Sequence, residues 1–171
     1  MRPRSCSWMM ATRSRRPPSV LAAAGLAAGA LLLTGCAPDA PPGVDKAVLD
    51  EAVSRAVGDP NTCVLIAARG GRTLYRYNTA TTCAKRYPAC DGGEEIAVAD
   101  LLADVARDGQ PRYRSCPTTA DRSRGVGWAS APIAGTNYVY AAMMEGDRAF
   151  PGRMMADRLE GAFRRAGVSA P

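Results

Sequence analysis

A charge-free apolar run near the N-terminus, Val20–Leu33 (VLAAAGLAAGALLL), limits what this chain can fold into more than any other feature. Arginines precede the run, and it is shorter than the roughly 20 residues that a membrane-spanning helix needs. A cationic segment, a short apolar segment and a small-residue cleavage region, in this order, are typical of a secretory signal that is removed from the mature protein. We therefore predict an export signal over residues 1–35, with Met1, Met9 and Met10 as alternative starts.

The apolar run ends in Leu33-Thr34-Gly35-Cys36, four residues that resemble the lipobox of bacterial lipoproteins. The resemblance implies that the Cys36 thiol receives a diacylglyceryl group and that a dedicated peptidase cleaves the chain just before it. A single acyl chain anchors a protein only marginally, whereas two hold it firmly. We therefore expect a lipid-anchored protein on the outer face of the cell membrane. The alternatives are a plain secretory signal followed by an unrelated cysteine, and an uncleaved signal anchor.

The charge of the mature part excludes one class of partner. The whole chain has a formal net charge of +6, but residues 1–35 contain five arginines and no acidic residue. Removing those five from the chain's 22 Lys and Arg leaves 17, against 16 Asp and Glu. A domain this close to neutrality lacks the basic footprint of nucleic-acid-binding proteins. We predict no nucleic-acid partner.

The mature part divides into a short tether and one domain. Residues 36–44 are rich in proline, and we interpret them as the lipidated cysteine and a flexible tether. In residues 45–171, apolar spacing predicts helices over 46–57, 96–107 and 153–166, and strands over 62–69, 72–78, 112–116, 125–130 and 138–145. Gly70-Gly71 marks a tight hairpin turn, and residues 79–95 are predicted as a loop. This order predicts an α+β fold, an antiparallel sheet of four to five strands packed against about three helices.

The element order across residues 45–166 resembles that of two groups of proteins. One is the profilin-like or roadblock-type domains, which implies a sensor or a partner-binding platform. The other is the α/β half of serine β-lactamases and penicillin-binding proteins, in which a helix and a hairpin begin the chain and two strands and a helix end it. That family needs a Ser-x-x-Lys nucleophile and a Lys-Thr-Gly strand. Neither motif is present, and Thr82-Cys83-Ala84-Lys85 is the nearest approach, so this resemblance implies a non-catalytic relative.

Four cysteines of the predicted domain indicate two disulfides, because an even number in an exported domain is typical of a disulfide framework: Cys63, Cys83, Cys90 and Cys116. The Gly70-Gly71 turn places Asn78 opposite Cys63. Cys83 follows Asn78 by five residues, so the loop can bring Cys83 back to Cys63. Cys63–Cys83 with Cys90–Cys116 is therefore one pairing, and Cys83–Cys90 with Cys63–Cys116 is equally open. The chain has no histidine and these cysteines contain no C-x-x-C pair, which argues against a zinc site and a thioredoxin-like centre.

Catalytic constellations are hard to place in this sequence. The lack of histidine excludes Ser-His-Asp and Cys-His machinery. Two carboxylate pairs remain, Glu94-Glu95 before a predicted helix and Asp100/Asp104 on its outer face. Acidic residues near a helix N-terminus and on a solvated helix face are common for structural reasons. We predict no enzymatic activity, no metal and no cofactor.

Tyrosines at alternate positions of two predicted strands form the remaining pattern: Tyr75, Tyr77, Tyr138 and Tyr140. They could line a binding face, because exposed aromatic side chains often anchor interfaces, or they could cover a half-buried sheet. The sequence thus predicts a membrane-anchored, non-enzymatic domain that binds an unknown envelope protein. The alternative is a small-ligand sensor or carrier with a pocket between sheet and helices.

Overall fold

The structure of the protein is a computed structural model that describes residues 39–169, so the predicted signal and Cys36 lie outside the described residues. The helices are α1 (Lys46–Val57), α2 (Ala80–Cys83), α3 (Val98–Asp108) and α4 (Gly152–Arg165). The strands are β1 (Thr62–Ala68), β2 (Thr73–Tyr77), β3 (Tyr87–Pro88), β4 (Glu95–Ile96), β5 (Arg112–Pro117), β6 (Gly125–Pro132) and β7 (Tyr138–Gly146).

Five of these strands form one antiparallel sheet in the order β2-β1-β7-β6-β5, and β3 and β4 form a separate two-stranded sheet. The predicted α+β class is confirmed. The predicted register of the first hairpin is also confirmed, since Val64 pairs with Tyr77 and Ile66 with Tyr75. A bulge between Ile66 and Ala67 then shifts the pairing, and Gly71 N donates to Ala68 O at 3.0 Å. The centre of the turn is therefore Arg69-Gly70, one residue before the predicted Gly70-Gly71.

Each face of the central sheet is covered by different elements. Helices α1 and α4 pack on one face through buried side chains such as Leu49, Val53, Leu159 and Phe163. Helix α3 packs on the other face, where Leu101 and Val105 meet Trp128 and Met143. Strand β1 is apolar after Thr62 because its successive side chains enter these two cores in turn: Val64 and Ile66 on the first face, Cys63 and Leu65 on the second.

The segment predicted as a loop, residues 79–95, is a more ordered structure, and this part of the prediction is corrected. Thr79 caps α2, since its Oγ1 accepts a hydrogen bond from Thr82 N at 3.1 Å. This single helical turn brings Cys83 to Cys63, and the two are bonded. The second disulfide is Cys90–Cys116. Of the two pairings left open by the sequence, the one with Cys83–Cys90 is therefore wrong.

The domain begins earlier than its first helix. Val44 N donates to Pro41 O at 3.0 Å, and Gly43 has a φ of 83°. Pro42 at the second position and a left-handed glycine at the third position are what a type II turn requires. Pro41 is buried and Val44 packs against the core. The predicted tether of residues 36–44 is thus shortened, because residues from Pro41 onward belong to the folded domain.

Helix α4 begins in direct contact with the backbone of the sheet. Gly152 N donates to Ser115 Oγ at 2.9 Å. A Cβ at Gly152 would lie 2.1 Å from Trp128 O and 2.7 Å from Arg114 N. Only glycine leaves room for the helix at this distance, so the sequence fixes where α4 crosses β5 and β6.

Candidate binding site

The four tyrosines singled out in the sequence all face α1 and α4. Tyr75 and Tyr140 are fully buried, and Tyr77 and Tyr138 are half-buried against the same core. The Tyr75 hydroxyl donates to Asp50 Oδ1 at 2.9 Å, and burial raises its pKa above the usual value. These described positions form a layer between the sheet and the terminal helices, and they do not present a continuous tyrosine surface to a partner.

Tyr140 differs from Tyr75, the other fully buried tyrosine, because its hydroxyl has no described hydrogen-bond partner. Its ring meets Phe163 edge-on at a centroid distance of 5.2 Å. Burial raises the pKa of Tyr140, so the hydroxyl keeps its proton and can donate it. A buried hydroxyl without a partner costs about 1–3 kcal/mol, which a ligand with an acceptor could recover.

Tyr140 lines a partly enclosed cavity of about 140 Å³ between β7, the β6–β7 turn and the end of α4. Ile133 and Phe163 supply apolar wall, and Ser169 adds a second buried hydroxyl without a described partner. Arg164 and Glu160 also line it. An engineered apolar cavity of about 150 Å³ is known to bind benzene. This cavity is large enough for a molecule of that size. The Tyr140 and Ser169 hydroxyl oxygens are buried beside it, so a ligand would have to uncover one of them to form a hydrogen bond.

A buried carboxylate, Glu145, is the most engaged ionisable group of the structure. Arg124 donates to it from Nε at 2.9 Å and from a terminal nitrogen at 2.8 Å. Thr118 Oγ1 donates at 3.2 Å and the Tyr87 hydroxyl at 3.4 Å. The Arg124 hydrogen bonds lower the pKa of Glu145. Each carboxylate oxygen of Glu145 accepts two hydrogen bonds. The cluster therefore holds the residues around β3 against the sheet, and the carboxylate is not free to act as a base.

Several of the polar residues considered for catalysis are likewise engaged in structural contacts, whereas Glu94 and Glu95 are exposed and their carboxylates make no described hydrogen bond or ion pair. Cys83 is disulfide-bonded, and Lys85 Nζ donates to Asn61 Oδ1 at 2.9 Å. The Asp100 carboxylate accepts from Ala97 N at 2.9 Å at the start of α3. Asp104 pairs with Arg107 on the same helix at 2.5 Å. Within residues 39–169, no three His, Cys, Asp or Glu side chains converge so that they could hold a metal ion.

The Glu145 cluster was missed by sequence reasoning, although a signal for it exists. A glutamate that follows the apolar run Val139–Met144 within one buried strand needs a cationic partner. Its identity, Arg124, could not be read from the sequence because it depends on the β6–β7 register.

No protein-family model and no curated protein matches this chain. Among the helices between residues 39 and 169, none combines the length and hydropathy that crossing a membrane requires. The described surface exposes two large apolar side chains, Val48 at 48% and Met154 at 45%, so no broad apolar patch marks a docking site there.

Proposed function

We propose that this protein is an exported lipoprotein, anchored through Cys36 at the outer face of the cell membrane, whose α+β domain binds a partner and catalyses no reaction. The anchor is supported by the signal pattern that ends in Leu33-Thr34-Gly35-Cys36. The observation that carries the non-catalytic assignment is that Cys83, Asp100 and Glu145 are engaged in structural contacts, while the exposed carboxylates of Glu94 and Glu95 have no described partner that could assist them. Cys83 is disulfide-bonded, Asp100 caps a helix, and Glu145 receives four hydrogen bonds.

The position of the first turn supports a role close to the membrane. Pro41 is the first buried residue of the described chain, so in this proposal residues 36–40 connect the domain to the lipidated cysteine. An extended chain spans at most about 3.3–3.6 Å per residue, which gives this connection a reach of roughly 18 Å. A domain held this close acts on molecules at the membrane surface rather than across the envelope.

The layered arrangement supports a binding platform. Two terminal helices cover one face of the sheet and a central helix covers the other. This agrees with the element order that resembles roadblock-type domains and the α/β half of penicillin-recognising proteins. Under either resemblance the expected role of this chain is recognition without catalysis.

Metabolic labelling with an alkyne analogue of palmitate tests the anchor. We expect the wild-type protein to carry the label and to fractionate with membranes, whereas Cys36→Ala accumulates as an unlabelled precursor. Cys6→Ala is the matched control, because Cys6 lies in the predicted signal and its loss leaves labelling unchanged. A Cys36→Ala protein that is processed and labelled normally would contradict the proposal.

A second candidate function, a carrier of a small ligand, is favoured by the cavity at Tyr140. The test compares how phenol and toluene raise the midpoint of thermal unfolding in the wild-type protein and in Tyr140→Phe. A ligand site predicts that the wild-type protein prefers phenol, because the hydroxyl can donate to it, and that Tyr140→Phe loses this preference. If neither probe stabilises the wild-type protein, the cavity is a packing feature and this candidate fails.

A further inference from the structure

One edge of the central sheet has an unused hydrogen-bonding side. Glu145 N donates to Asn61 O at 3.4 Å and Arg69 N donates to Asn137 O at 3.0 Å, so odd-numbered residues of β1 bond to β7. Successive residues of a strand turn their backbone groups to opposite sides. Even-numbered residues of β1 therefore bond to Tyr75 and Tyr77 of β2. It follows that the backbone N–H and C=O of Arg76 point away from the sheet.

The chain around this edge is basic. No Asp or Glu occurs between Asp59 and Asp91, whereas this stretch contains five cations: Arg69, Arg72, Arg76, Lys85 and Arg86. Arg86 pairs with Asp100 at 3.2 Å. Neither Arg72 nor Arg76 has a carboxylate within 4.0 Å in the described part of the chain.

Neighbouring acidic groups do not neutralise these two arginines. Asp50 of α1 accepts a hydrogen bond from the Tyr75 hydroxyl at 2.9 Å and forms an ion pair with Lys46 at 2.5 Å. Asp100 of α3 forms an ion pair with Arg86 and accepts a hydrogen bond from Ala97 N. The β2 edge therefore keeps a positive charge that an acidic partner could compensate.

An apolar groove runs beside this edge on the α3 side of the sheet. Its volume is about 290 Å³, and Arg76 lies at it together with small or apolar side chains: Leu65, Thr73, Ala80, Ala84 and Ala99. Because a strand added to β2 would point every second side chain toward this side, the groove is placed to receive an apolar side chain from it.

We propose that the β2 edge takes up an extended, acidic segment of an exported partner protein by strand addition. The backbone of Arg76 supplies main-chain hydrogen bonds, and Arg72 and Arg76 pair with carboxylates of the segment. An alternate apolar side chain of the segment enters the groove. This inference rests on the proposed function as a binding module and names its surface and partner.

One other occupant and one other edge fit less well. A second copy of this chain, paired β2 to β2, would bring the same unpaired arginines together. The opposite edge of the sheet is strand β5, which ends at Pro117, and proline has no N–H to donate. Its residues Arg112 and Arg114 are already paired with Asp108 and Asp91. Short, charged edges can also serve only to prevent aggregation, and the experiment separates that role from binding.

The probe is a short fluorescent peptide of the pattern Glu-Thr-Val-Thr-Glu, which places valine and both glutamates on one face of the added strand, the face of Arg76 and the groove. It is titrated against the full protein purified in detergent. We expect binding that weakens with salt and is lost when lysine replaces glutamate in the peptide. The variant Arg72→Glu/Arg76→Glu should bind about tenfold more weakly or worse, because like charges now oppose. Arg122→Glu/Arg148→Glu, which makes the same charge change at exposed positions elsewhere, should bind like the wild-type protein.

A second pair of variants tests the backbone contribution. Arg76→Pro and Arg76→Ala both remove the guanidinium, but only proline removes the outward N–H, and edge strands tolerate it there. We expect Arg76→Pro to bind more weakly than Arg76→Ala while both keep the wild-type unfolding midpoint. Equal binding by all edge variants, or no binding by the wild-type protein, overturns the proposal. Either result is independent of the Cys36 labelling experiment, so the two proposals fail separately.

Discussion

The two faces of the central sheet are closed by different means. On the face of α1 and α4, helices from the two ends of the domain pack through apolar side chains and a glycine contact. On the face of α3, one helix covers part of the sheet, and two disulfides and the Arg124–Glu145 pair hold the connecting segment. The first face therefore depends on apolar packing, and the second on apolar packing together with two disulfides and a buried carboxylate paired with a partly exposed arginine.

The largest expected effect is on the packed face. Gly152→Ala places a Cβ 2.1 Å from a backbone oxygen that cannot move aside, and we expect a loss of about 3 kcal/mol or more in the free energy of unfolding. Gly161→Ala is the control in the same helix, since its nearest contact is the end of the Arg165 side chain at 3.3 Å. It should be neutral or stabilising, because alanine favours the helix by about 1 kcal/mol. Urea unfolding measures both, and similar losses would contradict the close approach.

Removing either disulfide should weaken the other face. Cys63→Ala/Cys83→Ala and Cys90→Ala/Cys116→Ala each open a loop, of sequence separation 20 and 26, and each should cost about 3 kcal/mol. Hydrogen exchange should show the loss of protection between α2 and β4 and in α3, while α1 and α4 keep theirs. Free alkylation of the four thiols in the wild-type protein without reduction would refute the pairing.

The same contrast explains what the sequence could and could not predict. Strands β1 and β7 and helices α1, α3 and α4 carry local apolar periodicity, so their positions could be predicted. Helix α2 and the β3–β4 pair carry none. They are held by distant groups, such as the bond from Trp128 Nε1 to Pro88 O at 2.9 Å. The disulfide pairing could not be chosen for the same reason, because the place of Cys83 depends on the unpredicted turn of α2.

Some features of the candidate binding surfaces could likewise be predicted from the sequence, and others require the folded sheet. The tyrosine spacing could be read from the sequence, but their burial follows from α1 and α4 both covering one face. The outward backbone of Arg76 follows from the register between β1 and β7, which requires the folded sheet. The lack of acidic residues between Asp59 and Asp91 was visible in the sequence, yet its meaning depends on β2 being an edge.

The charge pair on the α3 face makes stability depend on pH. The hydrogen bonds from Arg124 lower the pKa of Glu145 in the folded protein. The stabilisation from this pair is therefore fully present above the pKa of glutamate in the unfolded chain, about 4.3, and is lost as pH falls through the lower pKa of the folded state. Glu145→Gln should cost about 1–2 kcal/mol near neutral pH, and the difference from the wild-type protein should narrow on acidification. Asp104→Asn, in an exposed pair, should change stability by a few tenths of a kcal/mol at most. A difference for Glu145→Gln that does not vary with pH would contradict the assignment.

The smallest expected effect lies within the packed face and tests whether one hydroxyl there is free. Tyr140→Phe removes a buried hydroxyl without a described partner, so stability should stay the same or rise by up to about 1 kcal/mol. Tyr75→Phe removes a hydroxyl that donates to Asp50 and should lower stability by about 1 kcal/mol. Urea unfolding of the two variants compares them directly. A loss for Tyr140→Phe equal to that for Tyr75→Phe would mean that the Tyr140 hydroxyl is already bonded, and the cavity beside it would then have no free donor to offer a ligand.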